Sequence, residues 1–137
     1  MERPPPTSAS PESTALELGQ RFLESIVAHD WVGIASCFEP QATFHAVVPH
    51  ETRPFRDHAG PDAAAEQIRR WFGDADVTEL VSSDVESVAG QVRIRYRIHE
   101  HEPDGWYLVE QVAFATPGQR AFQSMNLLCS GFQPVPE

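Results

Sequence analysis

The densest set of side chains able to move protons or bind charge lies in VRIRYRIHEHEPDGWYLVEQVAF, residues 92–114. Its first half alternates. Val92, Ile94, Tyr96 and Ile98 fall on one face, and Arg93, Arg95, Arg97, His99 and His101 on the other. A period of two is the strand signature, and the apolar face is the one expected inside. Pro103-Asp104-Gly105 reads as a type I turn followed by a left-handed glycine, a three-residue loop pairing Glu102 with Trp106. In that register Ile98 opposes Glu110 and Tyr96 opposes Val112. Glu110 then shares the inward face with Trp106, Leu108, Val112 and Phe114, diagonal to Tyr96. Apolar surroundings raise a carboxyl pKa, and a Glu poised nearer neutrality suits general acid–base catalysis. Tyr96 would donate to a developing oxyanion. If Pro117-Gly118-Gln119 is also a three-residue loop, Asn126 opposes Glu110 and orients it; a two-residue loop puts Met125 there. Two other readings stand beside this one. Glu110 is a structural buried acid tied to Tyr96 or an arginine, or a two-residue loop at 103–105 moves it to the arginine face, opposite His99, in an ion-pair surface.

The remaining polar residues carry weaker signals. Arg93, Arg95 and Arg97, with Tyr107 and Gln111, suit a polar homodimer interface, since planar guanidinium groups pair with carboxylates in two-point fashion; a solvated face and an anion site are the alternatives. His50, Glu51, Arg53 and His58 fall in a proline-rich loop, 49–61, where they could meet a polar group of a ligand. Phe44, Trp71 and Trp106 read as core or pocket wall. His99 and His101 share a strand face without a third ligand at a recognisable spacing, so no metal is expected. His45 reads as surface. Cys37 and Cys129 sit in apolar contexts without a histidine partner and read as inert packing. No phosphate-binding glycine loop and no nucleophile elbow is present, and no cofactor is expected.

These residues are positioned by a short chain of elements. The 137 residues suit one domain, and 41% hydrophobic residues supply a core. A proline- and serine-rich tail, 1–13, reads as disordered, leaving a single domain over 14–137. Residues 14–29 carry apolar positions at spacings of three and four and read as a helix. Asp30 caps a second, short helix ended by Pro40, and Asp62 opens a third with Ala64, Ala65, Ile68, Trp71 and Phe72 inward. Residues 42–48 read as a strand, and strands are expected over roughly 77–88, 91–101, 106–116 and 120–132, separated by glycine- and proline-bearing turns. Helices followed by a long meander indicate an α+β fold, a curved antiparallel sheet holding three N-terminal helices in its concave face as a cone-shaped barrel.

Composition excludes several functions. The formal net charge is −10, which opposes nucleic acid and anionic membrane surfaces. Lysine is absent, so Schiff-base chemistry through a lysine is excluded. Two cysteines make neither a disulfide framework nor a metal knuckle, which fits a reducing compartment. No run reaches the length of a membrane span and no signal peptide is visible, so the cytoplasm is the default expectation.

The element order, with AHDW (28–31), PDAAAEQIRRWF (61–72), DGWYLVEQVAF (104–114) and SMNLLCSGF (124–132), resembles the nuclear-transport-factor-two-like superfamily, in its SnoaL-like branch. The resemblance covers nearly the whole chain after residue 13 and rests on architecture. It implies the cone fold, a habit of dimerising through the outer sheet face, and a pocket of the kind used by ketosteroid isomerases, SnoaL-like polyketide cyclases, scytalone dehydratases and limonene-epoxide hydrolases, beside many non-catalytic members. Around ATFHA (42–46), Ala46 stands where the isomerases place their aspartate. The aspartate–arginine–aspartate set of the epoxide hydrolases is not found on the inward faces. A single acid or base in an apolar pocket, which SnoaL-like cyclases need, remains. The expectation is a small-molecule pocket protein, a cofactor-free acid–base enzyme of cyclase, isomerase or dehydratase type on a hydrophobic oxygenated substrate. The alternative is a non-catalytic dimeric ligand-binding or accessory module. A cavity of about a few hundred Å³ at Glu110 goes with the first, and a cone filled by Phe44, Trp71, Trp106 and Phe114 with the second.

Overall fold

A computed structural model describes residues 11–49 and 51–136. Helix α1, Pro11–Val27, buries Ala15, Gly19, Phe22, Leu23, Ser25 and Ile26, the stripe its spacing promises. It begins three residues before the expected boundary, so 11–13 are helical, and the rest of the expected tail lies outside the described residues. Gly19 is a contact point: a Cβ there would come within 2.9 Å of Val85 and 3.0 Å of Val92, so the helix rests directly on the sheet. Helix α2, Trp31–Ala35, is capped by Asp30, whose Oδ1 accepts from Gly33 N at 2.9 Å. Helix α3, Pro61–Phe72, starts with proline in its first turn and buries Ala64, Ala65, Gln67, Ile68 and Phe72.

The strands are β1 Phe38–Val47, β2 Phe55–Ala59, β3 Val77–Val88, β4 Gln91–Glu102, β5 Gly105–Pro117, β6 Phe122–Cys129 and β7 Gln133–Pro134. The sheet runs β2-β1-β6-β5-β4-β3, with β7 pairing β5 beyond the end of β6. It is mixed and unclosed: β1 and β6 are parallel and the other neighbours antiparallel, where an antiparallel sheet was expected throughout. The 49–61 segment, read as a loop, contains β2, whose residues alternate against β1.

The β4–β5 hairpin departs from the expected register by one residue. Glu102 pairs with Gly105, not Trp106, so Pro103-Asp104 is a two-residue loop and Gly105, at φ +138°, already belongs to the ladder. A slip of one residue exchanges the two faces of a strand. The inward residues of β5 are therefore Tyr107, Val109, Gln111, Ala113 and Ala115, and the outward ones Trp106, Leu108, Glu110, Val112 and Phe114. The interior of the cone is filled by Phe22, Phe38, Phe44, Phe72, Phe122, Tyr96 and Met125, each no more than 4% exposed. No helix is long and apolar enough to cross a membrane among the described residues.

Candidate functional site

The inner face of β4 carries one fully buried ionisable acid among its apolar residues. Val92, Ile94, Tyr96 and Ile98 point inward as expected, and the same alternation brings Glu100 inward two residues later. Glu100 is completely buried, and among the described residues neither carboxyl oxygen makes a hydrogen bond of ordinary geometry, although the neighbouring Glu102 carboxyl is close enough to act on its proton. Burial pushes its pKa up to about 9, helped by the nearby Glu102 carboxyl and then by Asp74. Glu100 is therefore an uncharged acid at neutral pH, able to donate one hydrogen bond or give up one proton.

Its surroundings follow from the ladder. Glu100 lies between Thr78 of β3 and Tyr107 of β5. Thr78 Oγ1 is 2.8 Å from His29 Nε2, and the His29 ring stacks on Trp31 at 5.1 Å, so the α1–α2 connection closes this end of the cone. His29 holds a left-handed backbone at φ +56° where α1 ends. On the other side, Phe132 packs on Phe72 with ring centres 5.7 Å apart. The β5–β7 pairing, extended by one residue from Leu108↔Gln133, sets Phe132 beside Val109, one inward row below Glu100.

A second polar group lies deeper. Tyr96 Oη donates to Gln111 Oε1 at 2.5 Å, and Gln111 Nε2 donates to Cys129 Sγ at 3.2 Å. All three residues are no more than 1% exposed. Burial raises the Tyr96 hydroxyl well above its usual value, and also raises the Cys129 thiol and, to about 11, the Cys37 thiol. Both thiols stay protonated and the phenol is a fixed donor. On β4, Tyr96 and Glu100 are four residues apart, about 13 Å at the rise of a strand, with Ile98 between them.

The expected catalytic pair is not formed. Glu110 lies on the outer sheet face opposite Arg97, whose Nη2 is 2.9 Å from Glu110 Oε1, in an exposed ion pair. This is the arginine-face alternative, with Arg97 as the partner rather than His99. Asn126 opposes Phe114, not Glu110, and also faces outward. Trp106 is outside as well, stacked on His99 at 4.4 Å and beside His101 at 5.0 Å. Gln111, expected in a surface stripe with Arg95, is in the core. Phe44 is inside as expected, with Trp71 at 6.4 Å and His58 at 6.2 Å between ring centres. His58 Nε2 lies 3.0 Å from Oε1 of buried Gln67, so it is tied to α3. Arg53 is exposed, and its carbonyl accepts from Arg56. His50 lies outside the described residues. Among the described residues no three His, Cys, Asp or Glu are arranged to hold a metal.

The outer face has its own relief. Arg97, Leu108, Glu110, Val112, Leu128, Ser130 and Gln133 line a depression of about 320 Å³. His45, Val47, Val112, Phe114, Asn126, Leu127 and Leu128 line a second of about 360 Å³ that shares Val112 and Leu128 with it. Glu110 thus borders a cavity of the expected size on the opposite side of the sheet from the expected one.

No family model matches the chain, and no curated protein matches it in sequence. Its backbone matches solved structures closely. A nuclear-transport-factor-two-like protein from Anabaena variabilis superposes with a TM-score of 0.70 at 14% identity, over 91% of this chain and 96% of that one. The chain has the nuclear-transport-factor-two-like fold. A putative polyketide cyclase from Xanthomonas campestris shares this fold with a TM-score of 0.68 at 17% identity, over 87% of this chain and 92% of that one. A putative isomerase from Bacillus subtilis does so with a TM-score of 0.70 at 13% identity, over 85% and 86%. An epoxide hydrolase of limonene-epoxide-hydrolase-like type from M. tuberculosis has a TM-score of 0.66 at 11% identity, over 88% and 86%. Within the nuclear-transport-factor-two-like fold, Glu100 is the buried acid that sequence reasoning passed over. The signal was present, since Glu100 has the parity of Tyr96 and Ile98.

Proposed function

We propose that the protein binds a small, largely apolar molecule bearing one oxygen or nitrogen function at the Glu100 end of the cone, and that Glu100 exchanges a proton with it without a cofactor. The observation that carries this reading is the orphaned carboxyl. A fully buried acid with no partner costs stability, and natural cores rarely keep one without a use for it. A raised pKa is also what general acid–base work at neutral pH requires. The relatives in fold described as a putative cyclase, a putative isomerase and an epoxide hydrolase are in keeping with it. Glu100 takes the role first expected of Glu110, and Tyr96, held by Gln111, shapes the floor rather than meeting the acid.

The test is NMR of the full chain with labelled glutamate side chains, titrated with benzyl alcohol and benzylamine. The Glu100 carboxyl resonance should move with at least one of them, saturably, and the Glu100→Leu variant should lose that site. Probes that perturb only outer-face residues would overturn the proposal.

The outer face supports a further part of the same reading, a homodimer formed through β4, β5 and β6. Phe114 and Leu128 are 36% and 52% exposed beside the two depressions, and the Arg97–Glu110 pair can exchange partners across a two-fold axis. Sedimentation should show a dimer at about tens of micromolar, as expected for an interface burying ~1,000 Å² or more. Leu128→Arg should make it a monomer. A wild-type monomer at that concentration removes the dimer and leaves the Glu100 site standing.

A further inference from the structure

The Glu100 end of the cone is unusually rich in acid and poor in base. Asp74 ends the turn after α3, Asp76 precedes β3, Glu100 and Glu102 close β4, and Asp104 sits in the hairpin loop. Among the described residues, no arginine comes within ion-pair distance of any of them, and Arg69, paired with Glu66, is the one whose charge is felt at Asp74. The histidines give little relief. His101 Nδ1 is 2.7 Å from Asp76 Oδ1 and His99 Nδ1 is 3.7 Å from Glu79, both on the outer side of β4. His29 reaches Thr78. Asp104 accepts from the Tyr107 hydroxyl at 2.7 Å. Asp74 and Glu102 remain the charges that bear on Glu100.

A row of carboxylates leading to a buried, unpartnered carboxyl is a complementary field for a positive charge, and a poor one for an anion. We infer that the polar end of the ligand is a basic nitrogen, carried as an ammonium group on an apolar body, and that it pairs with Glu100. This inference rests on the Glu100 reading and names its ligand class. The proton balance is simple. The free protein holds Glu100 as the neutral acid. The ammonium ligand brings a proton as well, so whichever way the two groups exchange protons, forming the ammonium–carboxylate pair releases one proton to solvent. An alcohol or ketone would leave that proton in place and accept a hydrogen bond from it. Because Glu100 is buried, the ligand must displace part of its cover; in this proposal that is Phe132 of the C-terminal strap, which packs on Phe72 and whose place a benzyl-sized body can take.

The titratable groups that bear on Glu100 are Glu102 from β4, Tyr107 from β5, Asp74 from the α3–β3 connection and, through Thr78 of β3, His29 from the α1–α2 connection; Asp76, before β3, and Asp104, in the hairpin loop, lie at the rim. The hydrogen bond to His101 holds Asp76 below the usual carboxylate range, and the Asp104 partner raises Tyr107 above its usual value. Both shifts run away from neutrality, the first downward and the second upward.

The experiment is isothermal titration of the full chain with benzylamine, benzyl alcohol and phenylacetate. Benzylamine should bind tightest. Its affinity should rise by up to about tenfold per pH unit from near neutrality toward pH 9, with about one proton released per molecule bound. Benzyl alcohol should show neither effect. Glu100→Gln should remove both from benzylamine, and Phe132→Ala should strengthen binding without changing the order of the three ligands. Benzyl alcohol equal to benzylamine, phenylacetate tightest, or benzylamine binding that Glu100→Gln leaves untouched each overturns the inference. In the first case an alcohol that still displaces the Glu100 resonance leaves the proposed site intact. If none of the three reaches Glu100, the proposed site falls with it.

Discussion

The two faces of the β4–β5 hairpin treat similar polar groups in opposite ways. On the outer face, Arg97 and Glu110 meet directly at 2.9 Å in water. On the inner face, Tyr96 and Gln111 also meet, at 2.5 Å, but buried, and among the described residues Glu100 has no hydrogen-bond partner of ordinary geometry. The residues come from the same two strands, alternating along them. What differs is solvent, and solvent decides how much each group matters. The exposed pair gains little because water already satisfied both ions. The buried phenol–amide bond gains little when made but costs much when half removed. The buried acid avoids the cost of charge by keeping its proton.

The largest effect should come from that proton. The native Glu100 pKa, about 9, lies above its ordinary value of 4.5. Between those values the native state holds a proton that the unfolded chain has released, so stability is greatest at the acid end and falls as pH rises through the window. Glu100→Gln removes this dependence. The stability gap between variant and wild type, read by chemical denaturation, should widen in favour of Gln by on the order of a few kcal/mol from about pH 5 to about pH 9, then level off. Parallel curves for the two proteins would mean that Glu100 is ionised and paired.

The next effect in size sits two inward rows deeper. Tyr96→Phe leaves the buried Gln111 Oε1 without its donor and should cost about 1–3 kcal/mol at all pH values. Combining it with Gln111→Leu should recover part of that loss, since an apolar pair strands nothing. A flat result for Tyr96→Phe would show that a water replaces the hydroxyl.

The same hairpin shows what could be read from sequence and what could not. Strand limits were legible wherever a glycine or proline ends a pattern: 77–88 is β3, and Gln91 opens β4 after Ala89-Gly90. Inward parity on β4 was legible because Val92, Ile94, Tyr96 and Ile98 alternate with arginines. Parity on β5 was not, because Trp106, Leu108, Val112 and Phe114 make the outer face as apolar as the inner one. The choice then fell to the turn, where Pro103-Asp104-Gly105 fits a two- or three-residue loop, and the glycine at φ +138° joined the ladder. That single residue moved Glu110 out and Gln111 in. Asn126 went outward too, since β6 sets it opposite Phe114. The parallel β1–β6 pairing joins residues about 80 apart and has no local signature. Glu100 was legible by parity alone.

The smallest expected effect is on the outer face. Arg97 and Glu110 are about one-half and one-third exposed on their side chains. In a monomer their coupling, measured by a double-mutant cycle of Arg97→Ala and Glu110→Gln, should be about 0.2–1 kcal/mol and should fall with added salt. Glu110→Gln alone should then leave the melting temperature nearly unchanged. A dimer changes the arithmetic without changing the bond. If β4, β5 and β6 face a second copy, the pair loses water, and removing one partner strands the other as a buried charge. The coupling should then grow severalfold and depend on protein concentration, because it is felt in the associated state alone. Running the same cycle in the Leu128→Arg background separates the two cases. A coupling that stays small in both backgrounds means that this face keeps its water, and the contrast between the two sides of the hairpin is then as large as it looks in the single chain.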